Sequence, residues 1–512
     1  MKNMKRRDFL KLASALSASK AIPVGLGVGA LAQQAHAASP DYSSVTVSAP
    51  TVMPQVINIF MYGGASELAG NLSNIADINT NSVNSYTEAF GDRILRTEAE
   101  ALADAGVNDD DWEITPNNFW RSAGGSHMEE MLTAGDMAVY RTILKQKSPT
   151  RSHRESIFMS HKGTTDIESS PGIGSRLALM MQQNANTYSG VATADNQPLG
   201  DLDKLVLPFV SFEGDTQTYA LDPNNPLPVY LRGLTMDNNF NNPYQRNLFG
   251  ASSGSEAAIN SLLQARDAQI TSNSSKYAKA YNGFKDREGL ESNMDDLSTL
   301  LSNDNDAGTL SSAEALGITY PGGSFSDQIE AAVTLAIHNP QTLYMAVGTP
   351  GLGGWDDHNN GIDRYPDRMN DLMEAVKAGV AHIKASSGVA TVGGGTRAHT
   401  DNIVINVFGD FGRLVNLNNS GGWDHANNQN LYTFGGQGVR PAKEVAVMNA
   451  GVPVGVTERQ GTSKTNNQFT MPVSGSPTFE PMCIAASIYG YFGVTNPEEM
   501  TSNDKRLEDG LP

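Results

Sequence analysis

Short apolar runs ending in glycine-rich breaks recur along this chain, and stretches with helical spacing lie between them. Residues 55–62 (QVINIFMY) form a continuous apolar run closed by Gly63-Gly64, the pattern of a buried strand that ends in a loop. Similar runs at 136–144, 205–212, 342–347 and 402–408 predict further strands. Apolar residues at helical intervals over 151–161, 326–338, 363–385 and 479–492 predict helices. Strands alternating with helices give an α/β fold, with a mostly parallel central sheet covered by helices on both faces.

The stretch 222–320 has a different texture. It is rich in Asn, Ser, Asp and Ala, with helical spacing near 255–273 and 276–300, and reads as a helical insertion or cap. It divides the α/β domain into 55–221 and 321–495. Residues 38–54, rich in Ser, Thr and Pro, read as an extended lead-in, and 496–512 as a C-terminal tail. No period of 20 to 50 residues suggests a repeat. Residues 303–308 with Glu314 outline a calcium loop, but Asn303 and Ala307 stand where such loops place ligands.

The first residues predict export. Lys5-Arg6-Arg7-Asp8-Phe9-Leu10-Lys11 precedes a weakly apolar segment over 21–32, and Ala35-His36-Ala37 supplies a small-x-small cleavage pattern. Residues 1–37 are therefore expected to be a twin-arginine signal peptide. The expected partner is the twin-arginine translocase, and the expected location periplasmic or secreted. The apolar segment falls short of the ~20 residues a span requires, and no later run is long enough, so no stable membrane span is expected. The signal carries six Lys/Arg and one acidic residue; its removal takes the formal charge from −19 to −24. That balance argues against a nucleic-acid groove. The lone Cys483 rules out an intramolecular disulfide and sits in an apolar helical pattern, where a small buried side chain is expected.

Candidate chemistry lies after the strands, where open parallel sheets bind ligands. Gly353-Gly354-Trp355-Asp356-Asp357-His358 follows one predicted strand, and Gly409-Asp410-Phe411-Gly412-Arg413 follows another. A second Gly-Trp-Asp segment, Gly422-Trp423-Asp424-His425, comes next. Carboxylate oxygen and imidazole nitrogen together suit zinc, manganese or iron; calcium is a further candidate. Turn capping accounts for any single Asp–His pair, whereas three clusters at strand ends favour a shared divalent-metal site. Its expected ligands are Asp356, His358, Asp410 and His425, with Asp424 at the rim as a ligand or as the acceptor that orients His425. Thr150-Arg151-Ser152-His153-Arg154 forms a second candidate, since hydroxyls and arginines at a helix start suit an anion. Ordinary capping by Thr150 fits it equally well. Ser66 and Glu67, after Gly63-Gly64, are weaker candidates for the same cleft.

In their order, these motifs resemble an exported family catalogued as domain of unknown function 1501, placed with the alkaline phosphatase and sulfatase superfamily. The resemblance spans about residues 55 to 495. It rests on the paired arginines, Gly63-Gly64-Ala65-Ser66, Arg151-Ser152-His153, Gly354-Trp355-Asp356-Asp357-His358, Gly409-Asp410-Phe411-Gly412-Arg413 and Trp423-Asp424-His425. It implies an alkaline phosphatase-like sheet domain with metal at the strand ends, and hydrolysis of phosphate or sulfate esters. By position, Asp356 and His358 resemble the superfamily's first ligand group, Asp410 its second and His425 its last. Phe411 stands where a typical phosphatase has a His. Thr150 and Ser152 resemble the helix start that carries a sulfatase nucleophile, with Arg151, His153 and Arg413 as polar neighbours of the reacting group. The competing expectation is a non-catalytic exported protein that binds a ligand or partner on the same fold. Replacing Arg6 and Arg7 together by lysine keeps the charge but removes the arginine pair. Cell fractionation should then find the precursor in the cytoplasm; mature protein still reaching the periplasm would point to the general secretion route.

Overall fold

The computed structural model describes residues 42–71, 96–97, 113–222, 227–238, 261, 312–414, 420, 422–460 and 469–512. The expected signal peptide, most of the expected cap and the calcium-like run at 303–308 lie outside these residues.

Seven strands build the central sheet: β1 (Gln55–Met61), β2 (Met137–Leu144), β3 (Phe209–Ser211), β4 (Leu234–Thr235), β5 (Tyr344–Val347), β6 (Ile403–Gly409) and β7 (Asn428–Gly435). Their order across the sheet is β2-β7-β6-β1-β5-β3-β4. β1 pairs in parallel with β5 and β6, β5 with β3, and β3 with β4. β7 runs antiparallel to both β6 and β2. The sheet is thus mostly parallel, as the sequence implies.

Every residue of β1 is buried, as expected for a strand with neighbours on both sides and helices on both faces. Its alternate side chains feed two cores. Ile57, Ile59 and Met61 join the residues packed under α1 (Ser126–Thr133), α4 (Ser324–His338) and α5 (Gly361–Ala385). Val56 and Phe60 join those under α3 (Ile173–Gln183) and α7 (Met482–Tyr491). The period of two in a strand makes this division, since successive Cβ atoms point to opposite faces. Cys483 lies buried in α7, where burial pushes its thiol up to about 12, so it belongs to the core.

Local chemistry explains several departures from the sequence reading. The run 205–212 forms a strand only over Phe209–Ser211. Leu207 adopts a left-handed φ of 50° and Pro208 has no N–H to donate to a ladder. β7 was not expected, because it opens on Asn428-Gln429-Asn430 and its pairing with β2 slips between Gln429 and Leu431. The lead-in and the tail both pack on the domain. Val47 bridges Val494, Tyr42 and Met53 are buried, and the backbone N–H of Leu507 donates to Ser487 Oγ at 2.8 Å. No described helix is long and apolar enough to cross a membrane.

This topology assembles one edge. β1, β5, β6 and β2 all finish there, and antiparallel β7 starts there, with Asn428 opposite Leu144. The loops that follow β1, β5, β6 and β2, and the segment that leads into β7, therefore meet beyond the same edge.

Candidate metal centre

Two buried tryptophans fix the paired Gly-Trp-Asp segments. Trp355 and Trp423 are almost fully buried, and both pack against Tyr365 of α5, with ring centroids 6.0 and 5.6 Å away in edge-to-face geometry. Such contacts add to area burial and set an orientation. Because both tryptophans share one tyrosine, the residues that follow them emerge side by side. A backbone hydrogen bond from Trp423 N to Asp357 O at 2.7 Å joins the two segments. Asp357 faces away from the edge and pairs with Arg364 and Arg368 of α5 at 3.2 and 2.5 Å.

The close approach of these loops requires glycine after β1. Gly63 has φ of 112°, and a Cβ there would lie 2.4 Å from the Asp356 backbone nitrogen. A Cβ on Gly64, at φ of 71°, would meet the Phe411 carbonyl oxygen at 2.6 Å. No side chain other than hydrogen fits either position.

His153, Asp356, His358 and His425 each offer one ligand atom, and these atoms all lie within 4.8 Å of one another, a group able to hold a metal ion. His153 is the first residue of α2 (His153–Lys162), and His425 pairs with Arg413 in a short antiparallel ladder. Asp356 Oδ1 lies 3.3 Å from His153 Nε2, 3.1 Å from His358 Nε2 and 3.5 Å from His425 Nε2. The two remaining Nε2 atoms, of His358 and His425, are 2.9 Å apart. A metal with bonds of about 2.1 Å separates its ligands by about 3.0 to 3.4 Å, in octahedral or tetrahedral arrangement respectively. The four spacings run from 2.9 to 3.5 Å, close to that range, and the other donor pairs lie within 4.8 Å.

The outer nitrogens settle which way the imidazoles face. His153 Nδ1 donates to Asp410 Oδ2 at 2.7 Å, His358 Nδ1 to Asp424 Oδ1 at 3.0 Å, and His425 Nδ1 to the Arg151 carbonyl at 2.9 Å. Carboxylates and carbonyls only accept, so each Nδ1 carries a hydrogen, and in the neutral ring each Nε2 turns a lone pair inward, that of His358 also lying 3.5 Å from Arg413 Nη1. His153 Nε2 is buried without a hydrogen-bond partner. A single extra proton would serve one pair of these atoms. A cation serves three nitrogens and a carboxylate together, and acceptors behind each ring are the usual support of metal-binding histidines.

The centre is charged on both sides. The Arg413 side chain is fully buried and donates to Asp356 Oδ1 at 2.5 Å. It also donates to the carbonyls of Gly63, Gly64, Trp355 and Trp423. Burial pushes the Asp356 carboxyl up, but the hydrogen bond and charge of Arg413 with the nearby imidazoles outweigh it and hold it below the ordinary value. The hydrogen bond to Asp410 raises His153, whereas burial and the Arg413 charge lower His425. Phe411 is fully buried and its ring floors the centre, 4.7 Å from His153 and 4.4 Å from His425.

The structure brings together Asp356, His358 and His425 as the sequence expects, and adds His153 to the donors. Asp410 stands one step behind, accepting from His153 and, through Oδ1, from the Gly63 N–H at 3.1 Å. Asp424 supports His358, where the sequence pairs it with His425. Thr150 donates to Glu155 Oε2 at 2.5 Å and accepts from Ser152 N at 3.2 Å, so its hydroxyl closes the turn that precedes α2 and caps no N–H of the helix itself. Ser152 is the N-cap residue, exposed, and its side chain makes no capping bond. Arg151 contributes its carbonyl, and its side chain is exposed. Ser66 caps the turn Glu67–Gly70. Glu67 is buried behind Arg413, accepting from its backbone N–H at 2.8 Å, and burial pushes its carboxyl up to about 7.

Lys145 belongs to none of the motifs that the sequence singles out. It is 2% exposed at the end of β2, and burial lowers its amine to about 8. A lysine directly after an apolar strand run, six residues before Arg151-Ser152-His153, is the signal that marks it.

Comparison of the chain with protein-family models, curated proteins and solved structures finds no match. The side-chain chemistry therefore carries the functional reading.

Asp410→Asn should leave the fold intact and weaken metal binding about 10- to 100-fold, the usual cost of losing the acceptor behind a ligand histidine. Because binding needs neutral imidazoles, and Asp410 raises the pKa of His153, wild-type affinity should fall as pH drops from 8 towards 5. Chelator-competition titrations across that range check both points. An unchanged affinity in the variant would contradict the support role of Asp410.

Proposed function

We propose that this protein is an exported, metal-dependent hydrolase of phosphate or sulfate esters. The observation that carries the reading is the convergence of three inward imidazole nitrogens and one carboxylate oxygen at the strand ends. Three nitrogen donors favour zinc, manganese or iron over calcium, which prefers an all-oxygen shell. A divalent cation in such a site supplies Lewis acidity towards an ester oxygen and lowers the pKa of water.

The chain's own residues divide the remaining work. Asp410, Asp424 and the Arg151 carbonyl fix the three imidazoles, so the donor set is preorganised before ligand arrives. Arg413 balances the Asp356 carboxylate from below and leaves that side chain half-exposed towards the cleft. Phe411 excludes water from the floor. The rim suits an anion: the exposed Arg151 side chain adjoins the start of α2, whose backbone amides and dipole favour negative charge. Ser152, next to His153 in sequence, is exposed and makes no capping bond, whereas Thr150 is committed to Glu155. Ser152 is thus the candidate attacking group among the described side chains, with water as the alternative. The resemblance to the alkaline phosphatase and sulfatase superfamily supports the same reaction class. Phe411, in place of the superfamily's histidine, favours the second reading, a non-catalytic exported protein that binds a ligand or partner on the same fold.

Metal-loaded protein should hydrolyse aryl phosphate or aryl sulfate esters, lose the activity to a chelator and regain it with zinc or manganese. His358→Ala and Asp356→Ala should each lower kcat/KM by about 1000-fold or more. In Ser152→Ala, a loss of about 100-fold or more assigns attack to the hydroxyl, and near-wild-type turnover assigns it to water. Metal-loaded wild type that is inert towards both ester classes would overturn the hydrolase reading.

A further inference from the structure

We infer that Lys145 is a positioning residue for the metal centre, holding His153 and His425 in register with each other. The inference rests on the metal reading above, and it concerns a residue that contacts none of the four donors directly.

Three separate contacts tie Lys145 to the segments that carry those imidazoles. Its backbone N–H donates to the Asn427 carbonyl at 3.0 Å, two residues beyond His425. Its Nζ donates to the Thr150 carbonyl at 2.8 Å and to Ser156 Oγ at 2.6 Å. Those bonds bracket the start of α2. Thr150 immediately precedes Arg151, whose carbonyl orients His425, and Ser156 lies one turn beyond His153. The same ammonium sits 5.0 Å from the centroid of the Phe411 ring, and that ring packs against His153 and His425. One buried cation therefore reaches both imidazoles through an aromatic plate, and reaches their supporting backbone through hydrogen bonds.

The chemistry suits an ammonium. A buried lysine retains its charge only when hydrogen-bond acceptors and neighbouring carboxylates replace water. Here the acceptors are a carbonyl and a hydroxyl from the α2 start, with the Phe411 face beside them and Asp410 and Glu155 near enough to favour the charge. Loss of the ammonium would free the 148–152 loop from β2 and remove the support below Phe411. A neutral side chain of similar length fills the space but satisfies neither the Thr150 carbonyl nor the ring.

The test compares Lys145→Met and Lys145→Arg with the wild type, each titrated with cobalt(II) and zinc. Lys145→Met should bind both ions about 10- to 100-fold more weakly, and its cobalt visible spectrum should shift as two of three imidazoles lose alignment. Lys145→Arg should recover part of the affinity and move the spectrum back towards wild type. Met137→Ala, at the opposite end of the same strand, is the stability control; it should lower Tm while leaving cobalt affinity and spectrum unchanged. A Lys145→Met protein with wild-type affinity and spectrum overturns the inference, as does Met137→Ala producing the same spectral change. Wild type that binds neither ion would instead remove the metal reading itself, so the two failures are distinguishable.

Discussion

The structure around the strand ends depends on the burial of one guanidinium. Arg413 has no solvent contact, and its side-chain donors go to four backbone carbonyls and the Asp356 carboxylate, with a longer 3.5 Å contact to His358 Nε2. Those acceptors come from the loop after β1, the loop after β5 and the segment before β7. An arginine suits the task because its planar fork presents five N–H donors in fixed directions and stays protonated. Removing it would take the donor from the buried Gly63, Gly64 and Trp423 carbonyls, at about 1 to 3 kcal/mol for each buried group left unsatisfied. The loops that carry Asp356, His358 and His425 would then keep only peripheral ties to the Gly63-Gly64 turn, such as the Trp355 N–H donating to the Tyr62 carbonyl at 2.9 Å.

Around that point, packing does what hydrogen bonds cannot. Trp355 and Trp423 bury two large surfaces against Tyr365, so α5 acts as a common anchor for both loops. Gly63 and Gly64 bring the turn after β1 to within a backbone's width of Asp356 and Phe411. His153 enters from another direction, at the first turn of α2, and Asp410 ties it to the loop after β6. The centre therefore draws on segments far apart in sequence, and each is fixed by a different kind of contact. Rigid support of this sort keeps three imidazole nitrogens close together, at a separation that costs energy unless a cation or protons share the space.

Much of this was legible in the sequence, for reasons that differ between residues. Apolar runs closed by glycine marked β1, β5 and β6, because a strand buried on both faces keeps few polar positions, such as Asn58 and Asn406, which bond each other at 2.9 Å. The twin Gly-Trp-Asp segments marked Asp356, His358 and His425, since a repeated motif after strands has few purely structural causes. His153 was seen as part of a helix start, and only the fold reveals that α2 aims its first residue at the other three donors. Asp410 looked like a ligand because it follows β6 directly. Its side chain instead turns under His153, a choice between first and second position that sequence spacing does not encode. β7 escaped because its polar opening, Asn428-Gln429-Asn430, is anchored by bonds to distant backbone: Asn428 donates to the Arg141 carbonyl and Asn430 to that of Glu67. Lys145 escaped because a single lysine after an apolar strand run is a faint signal, and only the fold shows it buried against Thr150, Ser156 and the Phe411 ring.

The central claim is that a cation belongs among His153, Asp356, His358 and His425. X-ray diffraction from crystals of zinc-loaded protein, collected on either side of the zinc absorption edge, tests it most directly. The account predicts one strong anomalous peak about 2.1 Å from all three Nε2 atoms and at a similar distance from an Asp356 oxygen. A map without a peak there, with the imidazoles instead bridged by protons or turned outward, would contradict it.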